Sequence, residues 1–399
     1  MARTPITLEQ QIEAPPSQVY RAFTNSTALR EWLCDAAMAH PSKGGRIHLW
    51  WTSGYYATGE YRKLVADEQV SFTWRGRGEP GETRVSVTLR PEGEGTVVSL
   101  AHKRVGDGKK WADAAAAIRR GWERGLENLR SVLETGHDLR FTLRPMLGIF
   151  PDTLSAEAAE RLGVPLKKGM LIGGVVDGMG AQVAGLEKGD VITRLDEAKI
   201  ADWASLQAAL AAHRAGDQLA VTYYRGAEKA TTVMTLSTRP IEEPPATPAA
   251  LAEAFGAAED DFRRRLEEAL AGVPDDRAAR RPVATEWSAQ EVLCHLIASQ
   301  RSTQEWIIDI VGEQERWADD WPGNLDIAHA GLLAVYPTVA DLLAELGRNE
   351  GETRAMIAAL PDSLVARKGA YWRLAYGIME LSLHNEGHLA QIKEALGAG

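Results

Sequence analysis

Cysteine is nearly absent: Cys34 and Cys294 are the only two in 399 residues. Two thiols so far apart give no disulfide framework, and a reducing cytoplasm is the expected compartment. Long apolar runs are missing as well. No stretch of 18 or more apolar residues occurs, so no membrane span is expected, and the opening Met1-Ala2-Arg3-Thr4-Pro5-Ile6 lacks the apolar core of a secretory signal. There is no excess of basic residues. The net charge is −10, and residues 241–399 account for the imbalance with 14 Lys/Arg against 27 Asp/Glu. An acidic surface repels phosphate backbones, so no nucleic acid partner is expected there. No internal repeat, no long low-complexity tract and no Gly-x-Ser-x-Gly nucleophile elbow are found. What is present, 45% apolar and 25% charged residues, is ordinary for a globular chain. Its length implies two or three domains.

Two boundaries divide the chain. Between Arg239 and Pro248, four prolines in nine residues interrupt any helix or sheet ladder, which reads as a semi-rigid linker. Near Thr135-Gly136-His137-Asp138 a helical pattern ends on glycine. The domains are therefore expected at 1–138, 139–240 and 250–399, with a linker at 241–249.

In residues 1–138, strand-like stretches at 6–12, 46–51, 69–74, 83–89 and 96–101 surround a short helix from about Pro16 to Phe23. The segment closes with a helix from about Trp111 to Leu133, striped by Ile118, Trp122, Leu126, Leu129 and Leu133. Such an order suggests a long helix lying across a curved antiparallel sheet. It resembles the helix-grip superfamily (START-like, SRPBCC), in its chaperone-ATPase-activator-homologue branch. The resembling residues are Ala14–Phe23, Leu29-Arg30-Glu31-Trp32, Lys43-Gly44-Gly45 and Gly121-Trp122. The resemblance implies an apolar cavity for a small ligand between helix and sheet. Trp32, Trp50, Trp51, Trp74 and Trp122 are candidates to line it; the alternative is that these rings simply fill the core.

Residues 140–238 contain Met146-Leu147-Gly148-Ile149 and, later, Ala184-Gly185-Leu186-Glu187-Lys188-Gly189-Asp190-Val191-Ile192. Together these resemble a PDZ domain of the bacterial HtrA kind. The resemblance implies a peptide carboxylate held by the loop Met146, Leu147, Gly148 and Ile149. It also implies β-augmentation along the next strand and a flanking helix, about Ala204 to Ala212, offering Leu206 and Leu210 to the groove. Gly180 stands where the family usually has proline, which is expected to loosen the turn. The alternative is a groove used for internal packing.

Residues 247–396 read as four amphipathic helices. The first is capped by Thr247-Pro248, and the second opens with the capping box Ser288-Ala289-Gln290-Glu291. The third spans about Thr338–Leu360 and the fourth about Ala370–Leu396. Helices of this length make a bundle, where sites form from side chains on facing helices. His384 and His388 lie four apart on the last helix, so their imidazoles share a face and can reach one metal ion. With His295 from the second helix they would make a three-ligand centre with an open position, the arrangement of catalytic sites. His384 and His388 are expected on an inward stripe with Gly377, Leu381, Gln391 and Ala395. His329 reads as a solvated loop residue and Cys294 as a packed thiol.

The pattern of Trp287-Ser288, His295 and His384-x-x-x-His388, continued by Leu389-Ala390-Gln391-Ile392, resembles the DinB-like superfamily. That resemblance implies a divalent metal, commonly zinc or nickel, on His295, His384 and His388. In some members the metal activates a low-molecular-weight thiol for S-transfer. No catalytic acid or base can be named from the residues.

The expected fold class is thus multidomain α+β: a helix-grip domain, a β-rich PDZ domain and an all-α four-helix bundle. Two functions compete. One is a metal-dependent transferase- or hydrolase-like enzyme; the other is an adaptor that binds a small apolar ligand and a protein C-terminus.

Overall fold

The computed structural model describes residues 5–211, 213–316 and 325–397. Ala212, at the expected end of the PDZ helix, lies outside the described residues. The chain divides into two compact units. The segment up to Asp138 and the segment from Glu243 onward form one unit, and Leu139–Glu242 forms the other.

The first half of the larger unit runs β1 (Ile6–Ile12), α1 (Pro16–Thr24), α2 (Ser26–Trp32), β2 (Ala36–Ala39), β3 (Arg46–Trp50), β4 (Tyr56–Val65), β5 (Gln69–Gly76), β6 (Thr83–Glu92), β7 (Gly95–Lys103) and α3 (Lys109–Thr135). The strands form one antiparallel sheet in the order β1-β7-β6-β5-β4-β3-β2. Ile118, Trp122, Leu126 and Leu129 of α3 are buried with Val85, Val87, Leu89 and Leu100 of the sheet in one core. Strand β4 was not apparent in the sequence: its Gly59 and charged Glu60, Arg62 and Lys63 dilute the alternation. A Cβ at Gly59 would stand 1.7 Å from the Thr73 carbonyl oxygen, so the close strand approach requires glycine.

The smaller unit contains α4 (Leu139–Thr142), β8 (Pro145–Met146), β9 (Ile149–Thr153), α5 (Ala156–Leu162), β10 (Met170–Val175), α6 (Gly180–Val183), β11 (Val191–Leu195), β12 (Ala198–Lys199), α7 (Trp203–Leu210), β13 (Gln218–Arg225), β14 (Glu228–Thr235) and β15 (Ser237–Thr238). Its main sheet runs β14-β13-β11-β10-β9, and β8 pairs with β15. Strand β9 ends that path, so its outer edge has no strand partner among the described residues.

The second half of the larger unit holds α8 (Pro248–Leu270), α9 (Asp275–Ala278), α10 (Ala289–Val311), α11 (Leu325–Val335), α12 (Val339–Ala358), α13 (Asp362–Val365) and α14 (Lys368–Ala395). The expected caps form: Thr247 accepts from Ala250 N–H, and Ser288 and Glu291 cap each other's backbone. Helices α8, α10, α12 and α14 make the bundle. Helix α11 occupies part of the stretch expected to be a loop between α10 and α12. Among the described residues no single helix is long and apolar enough to cross a membrane.

Bundle and helix-grip halves pack together through ions. The residues following α10 reach α1 and α2, where Glu313 meets Arg21 and Asn25 at 3.0–3.2 Å and Arg367 at 2.7 Å. Arg21 also binds the buried Glu31 at 3.0 Å. Beside them, Arg373 grips Glu315 bidentately at 2.6 and 2.7 Å, Trp306 Nε1–H donates to Glu315 at 3.1 Å, and Arg30 stands 3.7 Å away. Burial pushes the Glu315 carboxyl up, but Arg373 and Arg30 outweigh it and hold it below the usual carboxylate range. The proline-rich stretch is pinned to the same unit: His137 Nε2 lies 3.1 Å from Glu243, and Tyr371 donates its hydroxyl to the Pro245 carbonyl at 2.9 Å.

Candidate metal centre

His295 faces α14 from the second turn of α10, and His384 and His388 answer it from successive turns of α14. Their Nε2 atoms converge: His295 to His384 is 3.2 Å and His384 to His388 is 3.1 Å. A tetrahedral ion with bonds of about 2.0–2.1 Å sets its nitrogens about 3.3–3.4 Å apart. Both of these spacings are close to that of two ligands on one ion, and all three ligand atoms lie within 4.8 Å of one another.

Proton bookkeeping supports the same conclusion. His388 Nδ1 lies 2.9 Å from Gln391 Oε1, so the neutral ring would carry its proton on Nδ1 and keep a lone pair on Nε2. His384 Nε2 then faces two other ring nitrogens, and one proton cannot lie along both lines. A cation meets all three lone pairs at once. Burial, reinforced by His388, His384 and His329, lowers the His295 pKa to about 4. Burial and His388 lower that of His384 as well. Both rings are thus neutral near pH 7, the form that ligates metal. Among the described residues the Nδ1 atom of His295 is buried without a hydrogen-bond partner.

Placement differs from the inward stripe read in the sequence. The buried line of α14 is Leu374, Ile378, Asn385, Leu389, Ile392 and Leu396. His384 and His388 are half-buried, one position off that line. The reason is helical phase: at 100° per residue, Asn385 and Leu389 take the centre and the histidines flank it. A flanking position leaves the convergence point reachable from outside the core.

Two neighbours were misjudged or missed. His329 is not a solvated loop residue. It sits on α11 at 2% exposure, edge-on to Trp287 with ring centroids 5.1 Å apart, and Trp287 in turn lies 5.0 Å from His295. Inside the bundle, Glu259 accepts from Asn385 at 3.0 Å and from Gln300 at 3.2 Å. Burial and the charge of Glu350 raise Glu259 to about 8, while burial raises Glu350, paired with Arg263, to about 7. Both carboxyls lie on the buried faces of their helices: Glu259 falls four residues after Phe255 and three before Phe262, and Glu350 four after Leu346, so helical spacing alone places them inward. Cys294 is buried, its thiol pushed up to about 12 by burial, and is not poised as a nucleophile or ligand.

In the smaller unit, Met146 pairs with Ser237, and Leu147 is buried. Gly148 adopts φ +78°, where an added Cβ would lie 2.3 Å from Met179 Cβ. Ile149 opens the edge strand β9. Leu206 and Leu210 do not line an open groove: both are buried in the core that holds Leu147, because they form the inward face of α7. Gly180 does not loosen its turn. Its N–H donates to Ser237 Oγ at 2.8 Å, and a Cβ there would meet the Thr235 carbonyl at 2.1 Å. A proline would lose that donor.

Trp32, Trp74 and Trp122 are core residues, and Trp51 packs partly buried against them. Their indole N–H groups are spent internally, on the Ala22 carbonyl, Glu79, His102 and the Leu33 carbonyl respectively. Trp50 cannot line an interior cavity. On β3, Ile47 and Leu49 point into the core, so alternation sends His48 and Trp50 to the other face. A surface depression of about 630 Å³ lies on that outer face, between Met38, Arg46, His48, Arg62 and Arg75.

Comparison with known proteins agrees with these units. Residues 13–134 match the family Activator of Hsp90 ATPase homolog 1-like protein, residues 146–236 the PDZ domain family and residues 258–392 the DinB superfamily. The chain is 35% identical over 115 residues to a Serine protease Do-like HtrA of Lactococcus lactis, covering 28% of each protein. It is 32% identical over 97 residues to a probable periplasmic serine protease of Haemophilus influenzae, covering 24% of this chain and 20% of that one. The chain thus spans about a quarter of the length of these relatives. Among solved structures, the Aha1 dimer of Colwellia psychrerythraea is 22% identical with a TM-score of 0.30, the match covering 33% of this chain and 97% of that one. An HSP90 activator from Plasmodium falciparum is 21% identical with a TM-score of 0.29, over 33% and 96%. From N- to C-terminus, then, the chain carries an Hsp90-activator-like helix-grip domain, a PDZ domain and a DinB-superfamily bundle.

Proposed function

We propose that the chain is a metal-dependent DinB-like protein in which His295, His384 and His388 hold one divalent ion, zinc or nickel. The site would support thiol-transferase or hydrolase-like chemistry beside two recognition modules. The observation that carries this reading is the meeting of the three imidazoles, whose ligand atoms all lie within 4.8 Å of one another. When bound, such an ion lowers the pKa of a low-molecular-weight thiol or water at its open position. The residues supply the setting. Burial keeps His295 and His384 neutral, Gln391 fixes the His388 tautomer, and the Trp287 indole walls one side of His295.

The test is metal content of the purified chain, followed by turnover with a low-molecular-weight thiol and an electrophile panel before and after chelation. One equivalent of metal and turnover lost on chelation support the reading. Metal content unaffected by His384→Ala refutes the site, and full metal without turnover refutes catalysis.

A second reading, a non-catalytic adaptor, is favoured by one observation: β9 presents an unpaired edge directly after the Gly148 loop. That is the surface a protein C-terminus uses for β-augmentation. Binding of fluorescent peptides with free but not amidated C-termini supports it, and equal affinity for both refutes carboxylate capture.

A further inference from the structure

We propose that His329 is a functional residue of the same centre, hydrogen-bonding the small anion or thiol that takes the open position beside His295, His384 and His388. The inference rests on the metal reading above and concerns what the ion's partner meets.

Three observations converge on His329. Its ring is 2% exposed, and among the described residues neither Nδ1 nor Nε2 has a hydrogen-bond partner. A buried imidazole with both nitrogens unmet is costly, so the position is held for a group the protein does not supply. The ring also shares a neighbour with one of the ligands: Trp287 lies 5.0 Å from His295 and 5.1 Å from His329 between ring centroids. Finally, His329 is not among the three histidines whose ligand atoms meet. It stands outside the ligand set and shares the Trp287 indole with His295 as a neighbour.

The chemistry follows from the ring. A neutral imidazole offers one donor and one acceptor. The flanking indole adds a flat apolar wall. Such a pair fits a compact molecule with a ligating sulfur, nitrogen or oxygen at one end and a polar atom a bond or two away. Packing alone does not explain the residue, because phenylalanine would sit on Trp287 equally well and leave no unmet nitrogen.

The experiment loads the full chain with cobalt(II) and titrates azide, following the visible spectrum of the ion. Wild type, His329→Phe and His329→Gln are compared, with cobalt affinity measured separately. The expected result is equal cobalt affinity in all three and azide binding weakened about five- to ten-fold in His329→Phe. His329→Gln, which keeps a donor and an acceptor, should recover part of that loss. Equal azide affinity in all three overturns the inference while leaving the metal centre intact. Loss of cobalt binding in both variants also overturns it, since His329 would then be a ligand. A wild-type chain that takes up no cobalt overturns the metal reading itself, and this one with it.

Discussion

Removing the Glu315 carboxylate should separate the two halves of the larger unit energetically. Glu315 accepts both Arg373 guanidinium nitrogens at 2.6 and 2.7 Å and the Trp306 indole N–H at 3.1 Å, with Arg30 at 3.7 Å. Its side chain is 1% exposed and that of Arg373 is 18% exposed. Glu315→Ala therefore leaves two arginines and an indole donor without their anion in a dry interface. Breaking a buried pair from one side costs about 3–5 kcal/mol. A unit of this size loses roughly 2 °C of Tm per kcal/mol, so the melt should fall by about 6–10 °C. The assay is thermal denaturation of the full chain by circular dichroism at two wavelengths. Glu315→Ala/Arg373→Met should recover part of the loss, because the uncompensated charge is removed with its partner. A single-variant loss below about 1 kcal/mol would equal that of an exposed ion pair. That result would falsify the view that this contact joins the halves.

Other expectations concern the metal, the pH response and the peptide loop. Divalent metal at a hundred times its dissociation constant should stabilise the chain by about 2.7 kcal/mol, and His384→Ala should abolish that shift in a thermal melt. Burial depresses His102 to about 4, its Nδ1 accepting from Trp122 at 2.9 Å while Nε2 meets Thr83 at 2.6 Å. The unfolded chain binds this proton below about pH 6.5 and the folded one does not, so stability should fall by up to about 3 kcal/mol between pH 6.5 and 4. His102→Gln should show a shallower slope over that window in denaturant titrations; an unchanged slope would mean His102 is not buried neutral. Gly148→Ala combines φ +78° with a 2.3 Å approach to Met179 Cβ, and should destabilise the PDZ unit by about 1–3 kcal/mol. Its melt matching that of wild type would show that the loop adopts another conformation.

Local chemistry was legible wherever it was decided locally. The caps at Thr247 and Ser288, the stripe of α3 and the i, i+4 pair His384/His388 depend on near neighbours, and each appears in the structure. Which ring enters which layer depends on partners far away in sequence. Trp50 looked like its neighbours by composition, but strand phase turns it outward. Leu206 and Leu210 looked available, but they complete a core with residues up to 63 positions away, such as Leu147. His329 and the Glu259–Glu350 pair lie outside any short motif. Helical spacing puts Glu259 between Phe255 and Phe262 on the buried face of α8, but that Gln300 and Asn385 would meet it there is decided by tertiary folding.

The ion contacts between the halves bear on how the chain acquires its structure during synthesis. Arg21 and Glu313 are 292 positions apart, and Glu315 and Thr27 are 288 apart. The ribosome emits the helix-grip residues first, then the whole PDZ unit, and only then Glu313 and Glu315, which complete the ion pairs of Arg21 and Arg30. Contacts of such long sequence separation form late, because the intervening loop must close before they are rewarded. A nascent chain therefore carries a helix-grip face with Arg21 paired only to Glu31 and Arg30 awaiting Glu315 for the time it takes to translate almost three hundred residues. In that interval the face is open to chaperones, and to misdocking on other acidic surfaces.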